Sequence, residues 1–438
     1  MWSTQVGQDY LVNLASPPLL EQVMRQEGKY PTRDKMELWK EHRIQQGVAY
    51  GPFTTEGHEW YQLRQALNQR MLKPAEAALY TDVLNEVIDD FLVRLEQLRI
   101  SSASGTQVTD IAHQLYNFAL EAICYILFEK RVGCLGQSIP QDTTTFIQSV
   151  QQMFRYSVYT TFLPKWTRSV LPFWKWYMEG WNNIFDFGKM LIDQKIKETT
   201  AKLQASGPDG VQISGYLHFL LSSDLLSPVE AIGSFPELIL AGVDTTSNTL
   251  TWALYHLSKD PELQAALHKE VVGVVPAGQK PQHKDFARMP LLKAVFKETL
   301  RLYPVVPINS RIITEKDIEV GGFFCPKNTH FVFCHYVVSR DESVFPEPNN
   351  FQPQRWLKDS HSKKPGVLHA FGSLPFGYGV RSCLGRRLAE LEMQLVLSRL
   401  IQQYKIVLAP ETGEVKEMSR IVMVPSKKVS LHLLQRQP

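Results

Sequence analysis

The chain is poor in cysteine. It has five in 438 residues, an odd number with no CxxC spacing. In a chain of this size that excludes a disulfide framework as the basis of the fold and points to a reducing compartment. A long hydrophobic run is also missing. No stretch of about 18 mostly apolar residues occurs, so no membrane-spanning helix is expected. Charge of one sign is not in excess: 47 Lys and Arg against 44 Asp and Glu leave a net charge of +3. That balance is too small to argue for a nucleic-acid partner. Fixed-period repeats and low-complexity tracts are absent. The polar or Gly/Pro-rich stretches at 99–107, 204–215, 276–283 and 358–366 are short, so they read as loops rather than linkers. With 44% hydrophobic residues the chain can bury a sizeable core, and a single domain over 1–438 is expected. Its first residues, Met1-Trp2-Ser3-Thr4, do not read as a targeting peptide.

Helices dominate what is present. Apolar periodicity near 3.6 recurs at 59–71, 75–98, 107–130, 142–162, 174–204, 227–259, 261–273, 289–302 and 386–404. Ser16-Pro17-Pro18 opens a further short helix, proline being tolerated in a first turn. Strands are expected at 9–15, as a hairpin around Gly321-Gly322, at 330–338, and as a C-terminal hairpin pairing 418–424 with 429–434. The fold class is mainly α with small peripheral sheets.

Four patterns carry chemistry. In Phe376-Gly377-Tyr378-Gly379-Val380-Arg381-Ser382-Cys383-Leu384-Gly385 a cysteine sits in a glycine-punctuated loop, two residues after an arginine and just before a long helix. Positive surroundings and a helix N-terminus favour a thiolate, and the glycines let backbone approach a large flat ligand. In Leu238–Ser247, a helix apolar on every side is interrupted by Asp244, Thr245 and Thr246 after the small residues Ala241 and Gly242. The small residues leave room for a flat cofactor, helix hydroxyls can bond the i−4 carbonyl, and an acid beside a hydroxyl suits proton delivery. Glu298 and Arg301 lie three apart and can bond each other on a helix. Trp60 and Arg64, four apart, put an indole N–H and a guanidinium on one face, a suitable donor pair for a carboxylate.

Together these patterns resemble the cytochrome P-450 superfamily. The cysteine loop is similar to its FxxGxRxCxG signature, 241–246 to its (A/G)GxDTT motif, Lys297–Arg301 to its ExxR pair, and Phe351-Gln352-Pro353-Gln354-Arg355-Trp356 to its FxPxRW motif. The resemblance covers essentially the whole chain. It implies a P-450 fold with haem b (iron protoporphyrin IX) between the central long helix and the cysteine loop. Cys383 would be the axial iron ligand, and Trp60, Arg64, Arg381 and Arg311 the propionate donors. Thr245 would hydrogen-bond the bound oxygen and Asp244 feed it protons. Glu298, Arg301 and Arg355 would form a buried cluster with a structural role.

Between Lys280 and Arg301 six basic residues face two acids, a local surplus larger than that of the whole chain. Lys293 and Lys297 form one stripe, turned by about 90° from the Glu298/Arg301 side, and Arg386 and Arg387 follow the cysteine loop. Such a patch attracts an acidic partner. It resembles the adrenodoxin-binding surface of the superfamily's mitochondrial branch, which implies an adrenodoxin-type ferredoxin, its NADPH-dependent reductase and O2 as partners, at the matrix side of the inner membrane. The Trp- and Pro-rich segment 162–176 has a composition suited to shallow contact with a lipid interface. Residues 241–259, 291–310 and 332–340 most resemble the sterol side-chain hydroxylases of that branch, implying a sterol substrate. Val305, Val306, Ile308, Asn309, Val422 and Met423 would then line its pocket. Relatives carry a transit peptide and a helix ahead of the first strands, whereas this sequence opens at about those strands. A vitamin D-type hydroxylase is the alternative within the branch. A haem-thiolate isomerase is disfavoured by Asp244 and Thr245, and a non-catalytic haem or sterol binder is the remaining rival.

Overall fold

A computed structural model describes residues 1–6, 9–34, 36–206, 215–222, 225–357 and 369–436. The expected loop at 358–366 and most of that at 204–215 lie outside the described residues. The chain divides into two compact units. One comprises Met1–Asp34, Leu95–Leu115 and Thr245–Pro438, the other Lys35–Arg94 and Tyr116–Asp244. One boundary follows Asp34, and the other three fall inside the helices α5 (Thr81–Ser101), α6 (Ile111–Phe128) and α10 (Pro228–Lys259).

The first unit holds a four-stranded sheet in the order β1 (Trp2–Val6), β2 (Asp9–Leu14), β7 (His330–Phe333), β4 (Asn309–Ile312). Strands β2 and β7 are parallel, with Leu11 opposite His330, and β4 runs antiparallel to β7. Helix α1 (Pro17–Gln26) starts on its prolines and buries Leu20, Val23 and Met24 on one face, a 3.6-residue stripe. Those side chains join Leu14, Phe331, Phe333, Val338 and Phe371 in one apolar cluster, with Leu374 and Tyr378 packed against it. This core therefore reaches the start of the cysteine loop. The hairpin of β5 (Ile318–Val320) and β6 (Phe323–Cys325) turns at Gly321 and Gly322, whose φ of +60° and +79° require glycine-like freedom at both corners. Helices α11 (Pro261–Val274), α12 (Pro290–Leu302) and α14 (Arg386–Gln403) complete the unit's long elements. The carboxylate of Asp260 accepts from Leu263 N to start α11.

The second unit contains α2 (Glu37–Gln46), α3 (Gly57–Met71), α4 (Pro74–Ala78), α7 (Gln141–Phe162), α8 (Phe173–Ser206) and α9 (Tyr216–Leu221). Close approach of α7 and α8 needs Gly180, because a Cβ there would lie 3.0 Å from Ser149 O. Buried Glu237 on α10 accepts from Arg43 Nη2, Phe53 N and Thr54 Oγ1.

Three expectations are corrected. The strand expected over 330–338 stops at Phe333. Cys334 O then accepts from both Val337 N and Val338 N, making the single-turn α13 (His335–Val338). The expected C-terminal hairpin does not form. Segment 418–424 folds back on itself as β9 (Glu417–Ser419) and β10 (Met423–Pro425). Strand β11 (Leu431–Gln435) pairs instead with β8 (Tyr404–Leu408) and β3 (Gln107–Val108). Leu433 lies opposite Ile406, and both are buried. The expectation that no helix could span a membrane also needs correction. Among the described residues α6, with a mean hydropathy of 1.2, is long and apolar enough by length and composition. Its polar interruptions, Gln114, Asn117 and Glu121, break the run in the sequence, and 78% of it is buried inside the protein, as in a core helix.

Candidate active site

Cys383 is the half-exposed end of a closed loop. Its N–H donates to Phe376 O at 2.7 Å, and Gly377 and Gly379 turn the backbone with φ of +70° and +69°. Helix α14 begins at Arg386, so the sulfur precedes the positive end of an 18-residue helix. Cys124, Cys134, Cys325 and Cys334 are buried, and burial pushes all four thiols up, away from the thiolate form. Cys383 alone among the cysteines is half-exposed on a loop built to present a sulfur.

Two of the expected carboxylate-binding arginines lie in the same unit. Arg381 is buried, donates from Nε to Pro31 O, and its carbonyl accepts from Arg33 Nη2. Arg311 on β4 is fully buried. Its Nε donates to Glu27 Oε2 at 2.6 Å and its Nη1 to Ser310 O. Its Nη2 has no partner among the described residues. A buried guanidinium nitrogen left over in this way suits an incoming carboxylate. In the other unit, Trp60 and Arg64 are buried on one face of α3. Within the first unit, a half-exposed sulfur together with the buried guanidiniums of Arg311 and Arg381 suits a haem.

Helix α10 runs unbroken past Pro236. Ala241, Asp244 and Thr245 are half-exposed and share a face, whereas Leu238, Ile239, Leu240, Val243, Thr246 and Ser247 are buried. The carbonyl of Thr245 accepts from Thr249 Oγ1 at 2.8 Å, the expected kind of hydroxyl back-bond. Gly242 serves a different purpose from the one expected. A Cβ there would meet Ile123 Cγ1 at 2.9 Å, so its bareness admits α6 rather than a cofactor.

Glu298, fully buried on α12, gathers five donors. They are Arg301 Nε and Nη2, Arg355 Nε, Gln352 N and Trp356 Nε1, all within 3.0 Å. The sequence pointed to both arginines. It did not reveal Gln352 or Trp356, although a buried indole N–H next to Arg355 needs an acceptor.

Beside this cluster on α12, Lys293 and Lys297 line a groove of about 340 Å³ with Arg386, Arg387, Trp356 and Phe376. Lys297, Arg386 and Arg387 are exposed. Lys297 Nζ lies 5.5 Å from the Trp356 ring centre, and both arginines bond Glu390. The four cations expected to form one patch are thus together. Of the expected pocket residues, Val305 and Met423 are joined by a hydrogen bond from Met423 N to Val305 O. Val306 and Ile308 are exposed, and Asn309 and Val422 half-buried.

The sequence matches the cytochrome P-450 family over residues 1–433. It is 73% identical over 437 residues to the human protein named sterol 26-hydroxylase, mitochondrial, covering all of this chain and 82% of that relative. The rat protein of the same name is 72% identical with the same coverage. Human 25-hydroxyvitamin D-1 alpha hydroxylase, mitochondrial, is 40% identical over 442 residues, covering all of this chain and 85% of the relative. With the cysteine loop and the Glu298 cluster in place, and a family match over nearly its whole length, the chain belongs to the cytochrome P-450 family.

Proposed function

We propose that the chain is a haem-thiolate monooxygenase, one domain over its whole length, that hydroxylates the terminal methyl of sterol side chains with O2 and electrons from a ferredoxin. The observation that carries this reading is the full-length identity of 71–73% to proteins named sterol 26-hydroxylase. The lower identity of 40% to the protein named 25-hydroxyvitamin D-1 alpha hydroxylase, mitochondrial, disfavours the vitamin D-type reading.

The bound haem b supplies the oxygen activation and transfer chemistry. Cys383 Sγ would hold its iron, and a thiolate there would push electron density toward the metal. Arg311, Arg381, Arg64 and Trp60 would hold its two carboxylates. Asp244 would relay protons and Thr245 Oγ1 would hand them on at the half-exposed face of α10. Val305, Val306, Ile308, Asn309, Val422 and Met423 orient the sterol.

The groove beside α12 receives the ferredoxin. Its cations match an acidic partner, and such charges raise the association rate more than the affinity. Replacing Lys293 and Lys297 with glutamine is expected to lower the ferredoxin association rate about tenfold at low salt and to leave haem content unchanged. Stopped-flow mixing at two ionic strengths measures both. An unchanged rate would remove the groove from electron transfer.

Segment 162–176 exposes Phe162, Trp166, Val170 and Leu171 around the short 3₁₀ turn Lys165–Ser169. This surface rests on the matrix side of the mitochondrial inner membrane, where an apolar substrate is dissolved.

The deciding experiment supplies the purified holoprotein with ferredoxin, its reductase, NADPH and cholesterol. The expected product is the side-chain-terminal alcohol, formed only when the ferredoxin is present. Product formed without electron donors would favour an isomerase. Sterol-induced spectral change without any product would favour a binding protein.

A further inference from the structure

The segment between α1 and α2 straps the cysteine loop to strand β4 through contacts that nothing in the sequence patterns signalled. Thr32 O accepts from Ile312 N at 2.9 Å. Pro31 O accepts from Arg381 Nε at 2.7 Å, and Arg33 Nη2 donates back to Arg381 O at 2.7 Å. At the head of the strap, Glu27 is nearly buried and its Oε2 takes the Arg311 Nε proton at 2.6 Å. Its other oxygen lies against the cysteine loop. A Cβ built on Gly379 would come within 2.4 Å of Glu27 Oε1, so the loop backbone and the carboxylate are packed without space between them. One carboxylate therefore touches both the arginine expected at a haem propionate and the loop that carries Cys383.

We propose that Glu27 is a positioning residue for the haem site. It fixes the Arg311 guanidinium so that only Nη2 remains for a propionate, braces the Cys383 loop at Gly379, and offsets the Arg311 charge. This inference rests on the haem-thiolate reading above. Two consequences are separable. The reach of the side chain sets how firmly haem is held. Its charge sets how easily the iron is reduced, because one-electron reduction adds a negative charge that nearby positive charge favours.

The test compares holoprotein of the parent chain, Glu27→Gln and Glu27→Asp by redox titration and by the rate of haem transfer to a scavenging apoprotein. Glu27→Gln keeps an acceptor for Arg311 and removes the charge. It is expected to shift the reduction equilibrium three- to tenfold toward the ferrous form, up to about 59 mV for a one-electron couple. Glu27→Asp keeps the charge and shortens the reach. It is expected to hold the potential near that of the parent and to release haem about tenfold faster, in line with the 10–100-fold effects of groups that orient metal ligands. A Gln variant with the parent's potential overturns the proposal. If Glu27→Gln does not accumulate with haem, the Asp variant decides: faster haem release at an unchanged potential supports the proposal, and release at the parent rate overturns it. The parent's own reduced carbon-monoxide spectrum keeps the two readings apart. Without a thiolate-type band the haem-thiolate reading itself fails, whereas a normal band with unresponsive variants refutes the role of Glu27 alone.

Discussion

Glu298→Ala is expected to yield no haem-loaded protein. The substitution strips the acceptor from five donors at once, and three of them belong to the guanidiniums of Arg301 and Arg355, whose side chains are 0% and 5% exposed. Removing one partner of a buried ion pair costs about 3–5 kcal/mol, because the remaining charge stays buried. Typical domain stabilities are about 5–15 kcal/mol, so most of the margin is gone. The damage also propagates. Arg301 Nη1 holds the carbonyls of Ser339 and Pro348, and Arg355 Nη1 that of Pro346, so releasing the arginines loosens the stretch 339–355. Expression followed by haem quantitation and circular dichroism measures the outcome. A folded Glu298→Ala variant with normal haem content would show that the cluster does not hold this side of the structure together.

The second large effect concerns the sulfur. Cys383→Ser is expected to leave the fold of the haem-free chain within about 0.5 kcal/mol, as for other substitutions away from packed or paired groups. The side chain is only half-buried, and the loop-closing bond uses Cys383 N rather than the sulfur. Function should change far more. Groups that merely orient a metal ligand are worth about 10–100-fold, so loss of the ligand itself should cut sterol hydroxylation by more than about 100-fold. The red-shifted carbon-monoxide band should vanish with it. Denaturant midpoint, carbon-monoxide spectrum and product yield on one preparation separate these effects. A serine variant that kept the thiolate-type band would place the ligand at another residue.

Local periodicity made most of the helices legible. The expected stretches 142–162, 227–259 and 261–273 end within one residue of α7, α10 and α11. Within the site, what could be read was the part written in short spacings. Glu298 and Arg301 are one helical turn apart, and Lys293 and Lys297 another, and the structure places the first pair inside and Lys297 outside. What could not be read depends on partners far apart in the chain. Glu27 meets Arg311 across 284 positions, and Trp356 meets Glu298 across 58. Strand β11 pairs with β8, whose first residue, Tyr404, continues the apolar periodicity of the preceding helix, so the sequence offers no strand there to pair with. Gly242 shows the same limit. Its place in a motif suggested a ligand, whereas the atom nearest its missing Cβ belongs to Ile123.

The central claim is that Cys383 holds a haem as a thiolate within this chain. The reduced, carbon-monoxide-bound absorption spectrum of the purified chain tests it most directly. The account predicts a strongly red-shifted Soret band. A Soret band at the position of histidine- or thiol-ligated haem would contradict it.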